Sequence, residues 1–161
     1  MKGPGDSVVA GDRASRRADR GASEASQAKG SPIGADWVLM LGSVGGFFAV
    51  AAGAFGAHAL QGIYSPERMA VHGTAVQYHF WHSLALLALG AFWRAEGPTR
   101  WLAVTAACWV AGIVLFSGSL YLLSATQIRW LGFVTPVGGV LLLTGWLLLA
   151  VDRARAIRAV R

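Results

Sequence analysis

A chain of 161 residues suits a single domain. Hydrophobic residues make up 55% of it and charged residues only 14%, too little charge to clothe a soluble surface. The net charge of +6 would fit a nucleic-acid partner, but the charges gather at the two ends. Between Trp37 and Val151 only Glu67, Arg68, Arg94, Glu96, Arg100 and Arg129 remain. Basic ends flanking apolar spans point to anionic lipid headgroups and exclude nucleic acid. The single cysteine, Cys108, excludes an intramolecular disulfide and any multi-cysteine metal or iron–sulfur site held by this chain alone.

Residues 1–35 are rich in Gly, Ala, Ser and Arg and nearly devoid of large apolar side chains, which predicts a disordered cytoplasmic tail. No short apolar core of a signal peptide is present there, and Asp6, Asp12, Asp19 and Glu24 argue against a mitochondrial presequence. Residues 36–152 then read as a transmembrane domain, followed by a basic cytoplasmic tail over 153–161. A helix needs about 20 apolar residues to cross the hydrocarbon, because its backbone polar groups must be paired within the segment. Four stretches qualify: about 37–60, 73–93, 101–125 and 130–151. Trp37, Trp93, Trp101 and Trp130 fall at span ends, the headgroup level that amphipathic rings favour. Ser65 as N-cap, Pro66 in the first turn and Glu67 at the positive helix end predict that the second helix starts before its apolar part.

Of the 14 Lys and Arg residues, all but Arg68 and Arg129 lie in the two tails or the second-to-third loop. The positive-inside rule therefore predicts cytoplasmic N- and C-termini. Small residues recur four apart in the first helix (Gly42/Gly46, Ala49/Gly53, Ala52/Gly56), and the fourth repeats the device with Gly132, Thr135, Gly138, Gly139 and Gly145. Such stripes serve close packing, so the first and fourth helices are expected together at the centre of the bundle. Pro136 predicts a kink in the fourth helix, with Thr135 placed to satisfy the carbonyl that the proline frees.

The polar residues converge on the outer half of the membrane. His58, His79, His82, Ser117, Ser119, Tyr121 and Thr135 form one candidate cluster. On the second helix His72, His79 and Ser83 share a stripe within roughly 20°, while His82 is rotated away and shares an edge with Tyr78. Ionisable groups inside a membrane are functional candidates by default. Four readings of the histidines stand open: neutral structural imidazoles, proton or solute handling, a metal site using His58, His79 or His82, or a paired-histidine haem. The metal reading lacks supporting carboxylates and the haem reading lacks room between small-residue stripes. No nucleophile–base pair, phosphate loop or carboxylate pair occurs, so no enzyme activity, cofactor or metal is expected.

Four segments in order carry a family resemblance: Gly53-Ala-Phe-Gly-Ala-His58, Tyr78-His-Phe-Trp-His82, Phe116-Ser-Gly-Ser-Leu-Tyr121, and Ile128-Arg129-Trp through Thr135-Pro136 to Gly139. Over about 38–150 the chain resembles the YgdD/YwdK family of small bacterial membrane proteins, a domain of unknown function. The resemblance implies a four-helix inner-membrane protein and brings no catalytic residues or cofactor with it. The long Arg-rich tail departs from the family's usual short start. The expected fold is therefore all-α, a four-helix transmembrane bundle whose partners are the lipid bilayer, other membrane proteins or a second copy. The leading reading is a structural or interaction protein. The alternative, a transport or proton-handling accessory, requires an outer cavity lined by His58, His79, His82 and Tyr121.

Overall fold

The computed structural model describes residues 33–159, all in or between helices; the expected tail, apart from 33–35, lies outside them. Helix α1 (Ile33–Phe55) ends in a single π turn (Gly56–Leu60), and residues 33–35 form its first turn rather than part of a tail. Helix α2 spans Pro66–Glu96. Helix α3, Arg100–Thr126, is α-helical over Arg100–Gly112 and Gly118–Thr126, with one π turn at Ile113–Ser117 between. Helix α4 (Leu131–Ala159) runs on through Pro136 and past Val151.

Local chemistry sets these limits. The Ser65 hydroxyl accepts the Arg68 N–H at 3.4 Å with Pro66 in the first turn, and Thr99 caps α3 by accepting the Leu102 N–H at 3.1 Å. Gly97, at φ +95°, closes α2 with its N–H on the Trp93 carbonyl, and Gln127 closes α3 from the left-handed region at φ 59°. Three helices, α1, α3 and α4, are long and apolar enough to cross a membrane. Helix α2 carries Glu67, Arg68 and three histidines. It can hold them because it has a neighbour on each side, α1 and α3.

The helices pack antiparallel and in chain order, α1 on α2, α2 on α3, α3 on α4. Among the described residues no Cα of α1 lies within 8 Å of one in α4, so the expected central pairing of α1 with α4 does not form. The reason lies in what the small residues receive. A Cβ on Gly56 would sit 2.7 Å from the His72 ring, and one on Gly42 2.9 Å from the α2 backbone at Ser83 and Leu87. Gly53 faces Val76. On α4, Gly145 lies under the Trp109 indole, Gly138 against the backbone of Phe116, and Gly139 beside that residue's ring. These glycines receive the backbone or a bulky side chain of the neighbour in sequence, not a second glycine stripe. Gly46 faces open space. The apolar core joins Leu86 and Leu89 of α2, Leu102 and Trp109 of α3, and Leu142 of α4.

Ion pairs tie one end of the bundle. Arg94 meets Asp36 at 3.2 Å and Arg153 meets Glu96 at 2.6 Å. The start of α1, the end of α2, the start of α3 and the end of α4 therefore lie together. At the opposite end Arg68 donates from Nε to Ser124 O (2.9 Å) and from Nη2 to Ala125 O (3.2 Å), satisfying the last carbonyls of α3. Its guanidinium lies 3.8 Å from the Tyr64 ring centroid.

Candidate functional site

The seven residues of the candidate cluster fall into separate places. At the junction of α1, α2 and α3, His72 Nε2 lies 3.0 Å from Ala52 O. A carbonyl only accepts, so that nitrogen carries the hydrogen. About two turns further along α2, His79 Nδ1 is 3.3 Å from the Tyr121 hydroxyl, and the Tyr121 ring also lies 5.4 Å from that of His72. The stripe of His72, His79 and Ser83 thus looks onto Gly56 and Gly45 of α1, with Tyr121 closing it from α3.

His82 sits elsewhere, on the side of α2 turned toward α4. Its Nδ1 is 2.9 Å from Tyr78 O, and Trp146 donates its indole N–H to Nε2 at 3.2 Å. An indole nitrogen only donates, so His82 is the neutral Nδ1–H tautomer, with both ring nitrogens engaged. Trp109 completes this group; its own N–H reaches Leu142 O at 3.3 Å. The third group joins α3 to α4: Ser119 Oγ and Thr135 Oγ1 are 2.8 Å apart. Thr135 bonds Leu131 O, four residues back, at 3.4 Å, and not the Gly132 carbonyl that Pro136 frees. Ser117, in the π turn of α3, is fully buried, and among the described residues its hydroxyl has no partner. His58 is exposed in the π turn that ends α1.

A cleft of about 590 Å³ opens between α2 and α4, lined by Tyr78, Trp81, His82, Phe116, Leu142 and Trp146 among others. Of the four residues expected to line an outer cavity, only His82 belongs to it. Past Trp146 a second cleft of about 240 Å³ continues along Ala88, Leu89, Phe92 and Trp109 to Arg153. Among the described residues no three His, Cys, Asp or Glu side chains converge to hold a metal.

Two groups escaped the sequence reading. Asp152 is buried at 7% exposure, although it stands at the end of an apolar run. It is bonded by Arg153 from Nε at 3.1 Å and from Nη2, and Thr99 Oγ1 lies 3.5 Å away. Burial alone would lower the Arg153 pKa, but hydrogen bonds and charge from Glu96 and Asp152 outweigh it and raise the value. The signal was an acid opening an otherwise basic tail. The second missed group is Arg68, legible only as a lone charge near a helix start.

The family model described as "Protein of unknown function (DUF423)" matches residues 52–139. The chain is 44% identical over 115 residues to the UPF0382 membrane protein YwdK of Bacillus subtilis (strain 168), covering 70% of this chain and 92% of that protein. It is 39% identical over 119 residues to the UPF0382 inner membrane protein YgdD of Escherichia coli (strain K12), covering 74% and 90%. A UPF0382 membrane protein of Staphylococcus aureus (strain bovine RF122 / ET3-1) is 45% identical over 115 residues, covering 70% and 91%. This chain belongs to the DUF423 family. It is an all-α integral membrane protein of that family, with four helices among the described residues. The DUF423 match holds all four histidines, Tyr121, Ser119 and Thr135, and leaves out Trp146, Asp152 and Arg153. No solved structure matches the chain.

Proposed function

We propose that this DUF423 protein is a non-catalytic bundle of the bacterial inner membrane that acts by packing and interaction, with its histidines as ties between helices. One observation carries the reading: each histidine of α2 is engaged by another helix, His72 by Ala52 O, His79 by Tyr121 and His82 by Trp146. A polar side chain inside a bilayer is tolerated when its hydrogen bonds are made within the protein, and such bonds hold helices together. The same reading assigns a span to α2. Its 31 residues reach about 46 Å, more than the roughly 30 Å of hydrocarbon, and its imidazoles are sheltered by its neighbours. The four spans are then about 37–60, 73–93, 101–125 and 130–151, between cytoplasmic segments 1–35 and 153–161. The skew of Lys and Arg supports cytoplasmic termini, with Arg94–Asp36 and Arg153–Glu96 at the inner boundary and Arg68 at the outer one.

Two measurements test this. In a Cys108→Ser background, an impermeant maleimide applied to intact cells should label Ser65→Cys and leave Ala154→Cys unlabelled until lysis. Labelling of Ala154→Cys from outside would overturn the orientation. Metal analysis and haem absorbance of the detergent-solubilised protein should find neither in stoichiometric amount. A bound metal or haem lost on His79→Ala or His82→Ala would replace the structural role by a cofactor role.

A further inference from the structure

The two clefts beside Trp146 form one trough between α2 and α4. Among the described residues no Cα of α2 lies within 8 Å of one in α4. The trough stays open because Gly138 and Gly145 draw α4 onto α3, while Phe116 and Trp109 of α3 stand between α4 and α2 as its floor. Its chemistry changes along its length. One end is charged: Arg153, with Glu96 at 2.6 Å and Asp152 beside it, lies 4.1 Å from the Phe92 ring centroid. Beyond Phe92 the lining is Ala88, Leu89 and Leu149, and past Trp146 it becomes Tyr78, Trp81 and Phe116. From Phe92 to Tyr78 the trough follows α2 for about 21 Å, against roughly 15 Å for the hydrocarbon of one leaflet.

A charged end followed by an apolar run of leaflet length matches a phospholipid. Another helix fits poorly, since helices associate in bilayers through small residues, and the rim here is Trp81, Leu84, Leu143 and Trp146. A polar solute would find little to bind, because His82 already has both nitrogens engaged. The charges select the headgroup. Within the Glu96–Arg153–Asp152 cluster one guanidinium faces two carboxylates, and Glu96 is half exposed, so the cluster itself sums to one negative charge although the bundle end around it is basic. Three other arginines of this end have partners of their own: Arg94 lies on Asp36, and Arg100 and Arg155 lie over the Trp101 ring. An anionic headgroup would add to the negative excess. An ethanolamine headgroup brings a phosphate for Arg153 and an ammonium for Glu96 and Asp152. The quaternary ammonium of choline has no N–H to donate.

We propose that the trough between α2 and α4 binds one phospholipid of the ethanolamine class, its headgroup on the Glu96–Arg153–Asp152 cluster and one chain along the trough toward Trp146. The inference rests on the reading that α2 and α4 both span the bilayer. The test is native mass spectrometry of the full chain released from nanodiscs containing equal phosphatidylethanolamine and phosphatidylglycerol. The wild type should retain one lipid, with phosphatidylethanolamine favoured about fivefold, the effect of one interfacial charge. Glu96→Gln should bring the two lipids toward parity. Ala88→Trp, which fills the trough from an exposed position, should lose the retained lipid with helix content unchanged. No retained lipid, equal or greater retention of phosphatidylglycerol by the wild type, or unchanged retention in Ala88→Trp would overturn the proposal. If maleimide labelling shows α2 spanning and any of these results still appears, the lipid site alone fails.

Discussion

Gly42 and Gly46 are one helical turn apart on α1 and look equivalent in sequence, but they should respond oppositely to the same added methyl. In Gly42→Ala the new Cβ would lie 2.9 Å from Leu87 N and Ser83 O and 3.0 Å from Leu87 Cγ. The two closest atoms belong to the α2 backbone and cannot swing aside. Reaching ordinary contact of about 3.5–4.0 Å requires the helices to part by roughly 0.5–1 Å. Overpacking of this kind costs about 1–3 kcal/mol. Replacing a helical glycine by alanine returns about 0.5–1 kcal/mol, so the net loss should lie between about 0 and 2.5 kcal/mol. In Gly46→Ala the Cβ meets nothing within 4 Å, and only the gain of up to about 1 kcal/mol remains. Unfolding of the detergent-solubilised protein by SDS, followed by circular dichroism, reads both variants against wild type. Equal effects in the two, or a Gly42→Ala protein stabilised as much as Gly46→Ala, would refute the assignment of the α1–α2 contact to Gly42.

Two further outcomes follow from single contacts. Trp146→Phe keeps a ring in the wall of the trough and removes the N–H bonded to His82, so stability in detergent should fall by about 0.6 kcal/mol, the usual worth of a hydrogen bond between membrane helices; a loss beyond about 2 kcal/mol would mean that the ring and not the bond holds α4 to α2. At the start of α2, the Ser65 hydroxyl and the residue's own backbone N–H hold the Glu67 carboxyl below the ordinary carboxylate range. The charged form is favoured in the folded state, so its small contribution is complete above the ordinary carboxylate value and disappears as pH falls through the lowered one. Ser65→Ala should raise the Glu67 midpoint in an NMR titration, and an unmoved midpoint would deny the hydroxyl that role.

The four helices were legible because apolar length, Ser65-Pro66 and the turn at 126–129 are local signals. Level along the bundle was legible for some pairs, since counting along the helices brings His79 to Tyr121 and Ser119 to Thr135. Rotation about the helix axes was not. His79 and His82 are three residues apart and share a level, but one turns to Tyr121 and the other to Trp146. Glycine stripes announce close approach without saying to what. Here each opens for a large neighbour, His72 into Gly56 and Trp109 onto Gly145, so matching small stripe to small stripe misplaced α1 against α4. Asp152 was hidden because α4 continues as helix to Ala159 and carries that acid back against Thr99.

Contact mainly between sequence neighbours also sets how the chain can be built. Helix α1 docks chiefly on the helix that follows it, with a slight touch on α3, so the first hairpin can close once α2 has been made. Nascent chains with such local topology avoid long waits with open interfaces. One debt stays outstanding at that stage: His79 and Arg68 face the place of a helix not yet made. The arrival of α3 supplies Tyr121 and the carbonyls of Ser124 and Ala125 together, so insertion of the third segment is the step that commits the first two to their final form.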